Sequence, residues 1–314
     1  MDLEDYYRLP EGELVRRIQE AKKGKNAVVL VHNYQKMVVQ RIADFLGDSL
    51  GLSQQAERAE ADLIVFCGVR FMAETAKILN PDKKVVMPDV AAGCPMADMT
   101  TPEELNRMKA EHPDAVVVAY VNTTAAVKAE SDICCTSANA VKVVQSLGRQ
   151  KVLFVPDQNL ANYVADQTGA DTIAWPGYCY VHHRFTAQDV EAAKAKYPEA
   201  KVIVHPECRR EVIALADEVA STSGMARYVD GLSEEALAKG VIIGTEEGLI
   251  DQLQRKHRDA LLVPLREDAI CFNMKLTDLP KVAWSIENER YEISVPEDIR
   301  QRAKKALDRM LELA

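Results

Sequence analysis

No stretch of this 314-residue chain approaches the ~20 consecutive apolar residues that span a bilayer, so a membrane-crossing helix is not expected. The opening residues, Met1-Asp2-Leu3-Glu4-Asp5, are acidic and lack the basic-then-apolar pattern of an export signal. There is no long basic run, and the formal net charge is −9, which argues against a nucleic-acid partner. Small anionic ligands stay open, because helix N-termini and hydroxyls bind those locally. Cysteine is sparse: seven residues, an odd number, fall far short of a disulfide scaffold. Without an export signal the expected setting is a reducing cytoplasm, where the thiols are free, buried, catalytic or metal-bound. No low-complexity linker interrupts the chain, so any domains should pack intimately. The length allows two or three of them, and 47% apolar with 28% charged residues is ordinary for a globular protein.

What is present is a repeat. Pro88, Pro176 and Pro264 each close a short apolar run, and they stand 88 residues apart. Val28-Val29-Leu30-Val31-His32-Asn33-Tyr34 resembles Val116-Val117-Val118-Ala119-Tyr120-Val121-Asn122, again 88 residues on, and Val202-Ile203-Val204-His205-Pro206-Glu207 follows after about 86. Each reads as a buried parallel strand ending in chemically capable side chains. A second set of strands is Leu63–Phe66, Val152–Val155 and Val241–Gly244. A third element is Gly47-Asp48-Ser49, Thr136-Ser137 and Ser221-Thr222-Ser223-Gly224. A period of 88 is too long for a short solenoid and matches a small α/β domain. The order βαβαβ in each copy implies small parallel sheets with flanking helices, with ligands beyond the C-terminal strand ends. Helices are expected over 13–22, around 38–46 and from Ser49. Outside the repeat, Ile299, Ala303, Leu307, Met310, Leu311 and Ala314 mark one apolar helical face, expected to pack on the first copy.

Cys94, Cys179 and Cys271 follow the three prolines at six, three and seven residues. One soft ligand per copy can place three thiolates around a pseudo-threefold axis, suiting zinc, copper(I) or an iron–sulfur cluster. A structural zinc site usually draws on paired cysteines, and an electron-transfer cluster on four. Three thiolates on a [4Fe–4S] cube leave one iron open, able to act as a Lewis acid in loss of water. Cysteine also fills cores as a small hydrophobe, and that is the reading for Cys67, Cys134, Cys135 and Cys208.

The motifs then become specific. Val31-His32-Asn33-Tyr34-Gln35, Gly47-Asp48-Ser49-Leu50, Ala92-Gly93-Cys94-Pro95-Met96, Tyr120-Val121-Asn122-Thr123, Cys134-Cys135-Thr136-Ser137, His205-Pro206-Glu207-Cys208, Ser221-Thr222-Ser223-Gly224-Met225 and Cys271-Phe272-Asn273-Met274-Lys275 together resemble the quinolinate synthase family, from about residue 10 to 300. Two local departures stand out. Asn33 follows His32 where many relatives have tyrosine, and Cys179-Tyr180-Val181-His182-His183 stands where relatives often have a Cys-Pro-Thr-His-Glu run.

The resemblance implies condensation of iminoaspartate (iminosuccinate) with dihydroxyacetone phosphate to quinolinate, phosphate and two waters, for NAD synthesis. It implies an α/β fold of three similar βαβαβ domains around a pseudo-threefold axis. The expected division is 1–95 plus 272–314, then 96–180, then 181–271. It implies one [4Fe–4S] cluster held by Cys94, Cys179 and Cys271. His32, Ser49, Tyr120, Val121, Asn122, Ser137, His205, Pro206, Glu207 and Thr222 (or its neighbour Ser223) are the expected substrate contacts. N-capping is the alternative role for the hydroxyls. Glu207 is the expected general base, with burial expected to raise its pKa. Tyr34, Tyr120 and His205 would assist proton transfer, while His182 and His183 would shape the cluster surroundings or lie at the surface. An aspartate-oxidising enzyme would supply the unstable imine. Two other classes compete: a non-catalytic iron–sulfur or zinc protein, which has no need of these convergent polar side chains, and another open-cluster hydro-lyase, which a dehydration assay with hydroxy acids would separate.

Overall fold

A computed structural model describes residues 1–313; Ala314, placed above on the closing helical face, lies outside them. Three four-stranded sheets are built in sequence order. The first holds β1 (Ala27–His32), β2 (Phe45–Gly47), β3 (Leu63–Cys67) and β4 (Lys84–Val86). The second holds β5 (Ala115–Tyr120), β6 (Ile133–Cys135), β7 (Lys151–Val155) and β8 (Thr172–Ala174). The third holds β9 (Lys201–Val204), β10 (Glu218–Val219), β11 (Val241–Gly244) and β12 (Leu262–Pro264). Their strand orders are β2-β1-β3-β4, β6-β5-β7-β8 and β10-β9-β11-β12, one topology used three times. Every pair within the sheets is parallel. Helices cover both faces, so the central strands are apolar on alternate and intervening positions alike: Val29, Leu30 and Val31 are all fully buried, as are Val152 to Val155.

Each copy thus has a fourth, edge strand beyond the three read from the sequence. In the first copy it replaces most of the helix expected over 38–46, which is confined to Met37–Gln40. The reason is a side chain that repeats with the fold. Asp44, Asp132 and Asp217 each accept the N–H of the neighbouring central strand, from Val29, Val117 and Val202, at 2.8 Å every time. Each also donates its own N–H to the carbonyl of that same residue. Such a charge-assisted pair fixes the start of a strand too short to hold itself by burial.

The terminal segments divide between two copies. The helix Leu279–Asn288 packs on the helix Glu11–Gly24 and on β3, and Arg17 meets Glu287 at 2.6 Å. The helix Glu297–Glu312 touches the first copy through the helix Arg70–Leu79, but lies chiefly on the second, against the helix Ala125–Ala129 and β6. This differs from the expected seat on the first copy. An apolar stripe of Ala303, Ala306, Leu307 and Met310 specifies burial but not the surface that buries it. Polar contacts at its flank choose the second copy: Arg309 donates to the Asp132 carbonyl at 2.6 Å, and Arg302 pairs with Glu130.

Candidate active site

The C-terminal ends of the central strands of all three sheets face one cavity. Because each copy ends its first strand the same way, the wall is made of rings of three. The first ring is His32, Tyr120 and His205, each at or just past the end of β1, β5 or β9. The second is Tyr34, Asn122 and Glu207, two residues further along. The third is Ser49, Ser137 and Thr222. The last is Cys94, Cys179 and Cys271. Twelve of the fourteen residues expected from the sequence therefore reach the cavity. Val121 and Pro206 do not reach its wall; both are buried behind it, and the Val121 N–H is spent on the Cys135 carbonyl at 2.9 Å.

The hydroxyl ring is free of capping duty. Asp48 caps the helix Ser49–Arg58 through Gly51 at 3.0 Å, and Ser221 caps the helix Thr222–Asp230 through Gly224 at 3.2 Å. Ser49 and Thr222 are thereby left to face the cavity from a helix N-terminus. Thr222, rather than Ser223, is the third member of this ring. Ser137 sits in the turn before the helix Ala140–Ser146 rather than on its first residue. Asp48 also accepts from the Ser223 N–H of the third copy at 3.3 Å, tying two copies at the cavity edge.

His32 and His205 are built alike. Each ring accepts on Nδ1 the N–H of the residue two further on, Tyr34 at 3.2 Å and Glu207 at 3.3 Å. An accepting Nδ1 assigns the proton to Nε2 in the neutral ring. Burial holds the His32 ring down at about 4 and the His205 ring at about 3, so both are neutral donors near pH 7.

Glu207 is 2% exposed in the cavity wall. Its Oε2 lies 2.6 Å from Nδ1 of His182. The opposite nitrogen of His182 meets Thr245 Oγ1 at 2.9 Å, Thr245 meets the Tyr34 hydroxyl at 2.8 Å, and Tyr34 meets Thr222 at 2.9 Å. The His182 and His205 rings stack with centroids 4.3 Å apart. Burial alone would raise the Glu207 carboxyl, as the sequence reading expected. The neighbouring His205 and His182 rings, with hydrogen bonds from His182 and Tyr120, favour the carboxylate, overcome burial and bring it down to about 2. Glu207 is thus a carboxylate throughout the neutral range. Burial raises the Tyr34 and Tyr120 hydroxyls well above their usual value, with Glu207 adding to both, so both stay protonated.

Of the two placements expected for His182 and His183, beside the candidate ligand cysteines or at the surface, His182 takes the first. It is buried at the centre of the site, whereas His183 is half-buried and bonded to Asn159 at 3.0 Å. His182 lies outside the repeated strands, on a short turn just after Cys179. The signals in the sequence were its place three residues after Cys179 and its match to the histidine of the relatives' Cys-Pro-Thr-His-Glu run.

All three cysteines line the one cavity, and the Cys271 thiol raises those of both Cys94 and Cys179, beneath the larger effect of burial. Burial pushes Cys94 up to about 12. Thiols in such a place ionise when a metal replaces their protons. Cys67, Cys134, Cys135 and Cys208 are buried in the strands and the core, away from the cavity wall. The donor set fits a soft cluster with three protein ligands. Potential ligand atoms of Cys179, His182 and Glu207 also lie within 4.8 Å of one another. Both ring nitrogens of His182 are already engaged, however, by Glu207 and Thr245, which disfavours ligation there.

Comparison with known proteins adds independent findings. The family model described as quinolinate synthetase A protein matches residues 16–312. The chain is 54% identical over 295 residues to the quinolinate synthase of Dehalococcoides mccartyi (strain CBDB1), covering 94% of this chain and 96% of the relative. It is 53% identical over 303 residues to that of Methanosarcina barkeri (strain Fusaro / DSM 804), covering 96% and 98%. It is 51% identical over 300 residues to that of Thermodesulfovibrio yellowstonii (strain ATCC 51303 / DSM 11347 / YP87), covering 95% and 98%.

Proposed function

The chain belongs to the quinolinate synthase family, and from that premise we propose that the three-copy junction condenses iminoaspartate with dihydroxyacetone phosphate to quinolinate, phosphate and two waters. The observation that carries this reading is one cavity lined both by polar rings from all three copies and by Cys94, Cys179 and Cys271. Cys94, Cys179 and Cys271 would hold a [4Fe–4S] cluster. When bound, such a cluster supplies an open, Lewis-acidic iron that favours loss of hydroxide.

The protein side chains do the remaining work. The Tyr120 hydroxyl donates to Glu207. The substrates are anions, and the wall offers neutral donors: Nε2–H of His32 and His205, and the hydroxyls of Ser49, Ser137 and Thr222. These bind carboxylate and phosphate oxygens without neutralising Glu207. Asn122 has a buried side-chain oxygen with no protein partner, a place for a substrate hydroxyl or imine N–H. Glu207 takes a proton from carbon beside a carbonyl or imine. The chain His182–Thr245–Tyr34–Thr222 then lets charge and protons redistribute across two copies. Such positioned transfer supplies about 10²–10⁴ in rate. Enclosure of the reactants excludes water, which would hydrolyse the imine.

The substrates are small molecules, and among the described residues no helix is long and apolar enough to cross a membrane. A reducing cytoplasm, which preserves free thiols, and an upstream aspartate-oxidising enzyme belong to the same proposal. The test is quinolinate formation by the anaerobically reconstituted protein from dihydroxyacetone phosphate and freshly generated iminoaspartate. Product formation supports the reading; an intact cluster with no product, but turnover of a hydroxy acid, would replace it with a hydro-lyase.

A further inference from the structure

A further ring of the repeat stands behind the cysteines. Val69, Asp157 and Glu246 each lie two residues past the second central strand of their copy and each precedes a helix. Asp157 and Glu246 are fully buried. Each divides its two oxygens the same way. One oxygen caps its own helix: Asp157 Oδ1 accepts from Leu160 at 2.7 Å, and Glu246 Oε2 from Gly248 at 2.7 Å. The other accepts the backbone N–H of a ligand cysteine: Asp157 Oδ2 from Cys179 at 3.1 Å, and Glu246 Oε1 from Cys271 at 3.1 Å. Val69, in the same place of the first copy, has no side-chain acceptor, and the Cys94 loop is tied instead by the Arg70 N–H to the Ala92 carbonyl at 2.8 Å.

We propose that Asp157 and Glu246 are positioning residues for the cluster, holding the Cys179 and Cys271 loops in ligating register from the helices that follow β7 and β11. Capping alone does not explain the arrangement. A cap needs one oxygen and is met as well by serine elsewhere in this chain, at Ser221 and Ser233. Burying a carboxylate whose second oxygen has no partner is costly; in both copies the N–H of a ligand cysteine meets that oxygen, joined at Glu246 by Lys275. Glu246 carries the register further. Lys275 meets Glu246 Oε1 at 2.9 Å and donates to the Tyr34 carbonyl at 2.8 Å, so the Cys271 loop is joined to the substrate-facing turn of the first copy. The Cys94 loop has no such carboxylate, and two of the three ligands are set more rigidly than the third.

The inference rests on the three-cysteine cluster reading, and the test separates the two. Full-length wild type, Asp157→Asn and Glu246→Gln are reconstituted anaerobically. Iron and sulfide content, the rate of bleaching by an iron chelator and the thermal midpoint of the metal-free protein are then measured. The amide keeps one oxygen for the cap but cannot accept at both sites. The expected result is cluster loss about ten-fold faster in each variant, the scale of lost outer-shell support, with little change in the metal-free midpoint. Wild-type bleaching rates in both variants would overturn the positioning role and leave the cluster reading intact. A lowered metal-free midpoint with unchanged bleaching would reduce both residues to caps. Were one variant not to fold, the other carries the same comparison. A wild type that takes up no iron and sulfide would instead overturn the cluster reading itself, and this role with it.

Discussion

Replacing Glu207 with glutamine is the sharpest perturbation available at the site. The substitution keeps shape and one acceptor oxygen but removes the charge that His182, His205 and Tyr120 surround. Two losses follow. The bond to His182 Nδ1, 2.6 Å long, ceases to be charge-assisted, an effect of about 1.5–3 kcal/mol. The proton acceptor is also removed, and positioned acid–base catalysis is worth about 10²–10⁴, or roughly 2.7–5.4 kcal/mol of barrier. The expected kcat/KM for quinolinate formation therefore falls at least about 100-fold. Iron and sulfide content should hold, because the Cys179 and Cys271 loops are fixed by Asp157 and Glu246 rather than by Glu207. The assay is anaerobic turnover normalised to cluster content. Turnover within about threefold of the wild type, less than 1 kcal/mol of barrier, would refute the base assignment.

Three other expectations follow from the same structure. His32 and His205 have folded pKa values of about 4 and 3 against 6.5 unfolded, so below pH 6.5 the unfolded chain binds more protons and stability falls as pH falls. Each should cost about 2 kcal/mol between pH 7 and pH 5, read by urea unfolding of the metal-free protein; a loss unaltered in the double variant His32→Gln/His205→Gln would contradict this. Lys128 is fully buried, donates to the Thr123 carbonyl and lies over Phe71 at 5.5 Å, and burial brings its pKa down to about 8. Its folded pKa is depressed, so stability rises with pH between about 8 and 10.5, by up to about 3 kcal/mol, and Lys128→Met should abolish that rise in matched unfolding curves. Serine in place of Cys94, Cys179 or Cys271 should each abolish a full cluster, while serine at Cys67 or Cys208 should leave iron content unchanged; the reverse pattern would misassign the ligands.

Much of this architecture was legible because β-branched runs recur in phase, and a buried parallel strand leaves that signature whatever surrounds it. The edge strands did not show. β10 is two residues long with exposed Glu218, and Phe45 of β2 faces solvent, so neither presents an apolar run. Asp44, Asp132 and Asp217 were the available sign, since they recur with the repeat, but a surface aspartate is mute until its N–H partner is known. Strand ends gave most of the cavity wall for the same reason they gave the fold. His182 did not, because it joins Glu207 from a turn outside the repeated strands. The sign of the Glu207 shift was unreadable too: burial follows from a closed pocket, but the two histidines that outweigh it come together only in space. Asp157 and Glu246 carry no such mark in the sequence: that each is divided between a helix cap and a cysteine N–H is visible only in space.

The most direct measurement is Mössbauer spectroscopy on the anaerobically reconstituted, ⁵⁷Fe-labelled protein, with and without pyridine-2,3-dicarboxylate. Three thiolates facing the substrate cavity require cubane iron at close to four per chain, with one iron site changing when the dicarboxylate is added. Iron that does not assemble into such a cluster, or a cluster whose four sites all ignore the dicarboxylate, would contradict the placement of an open iron at the junction of the three copies.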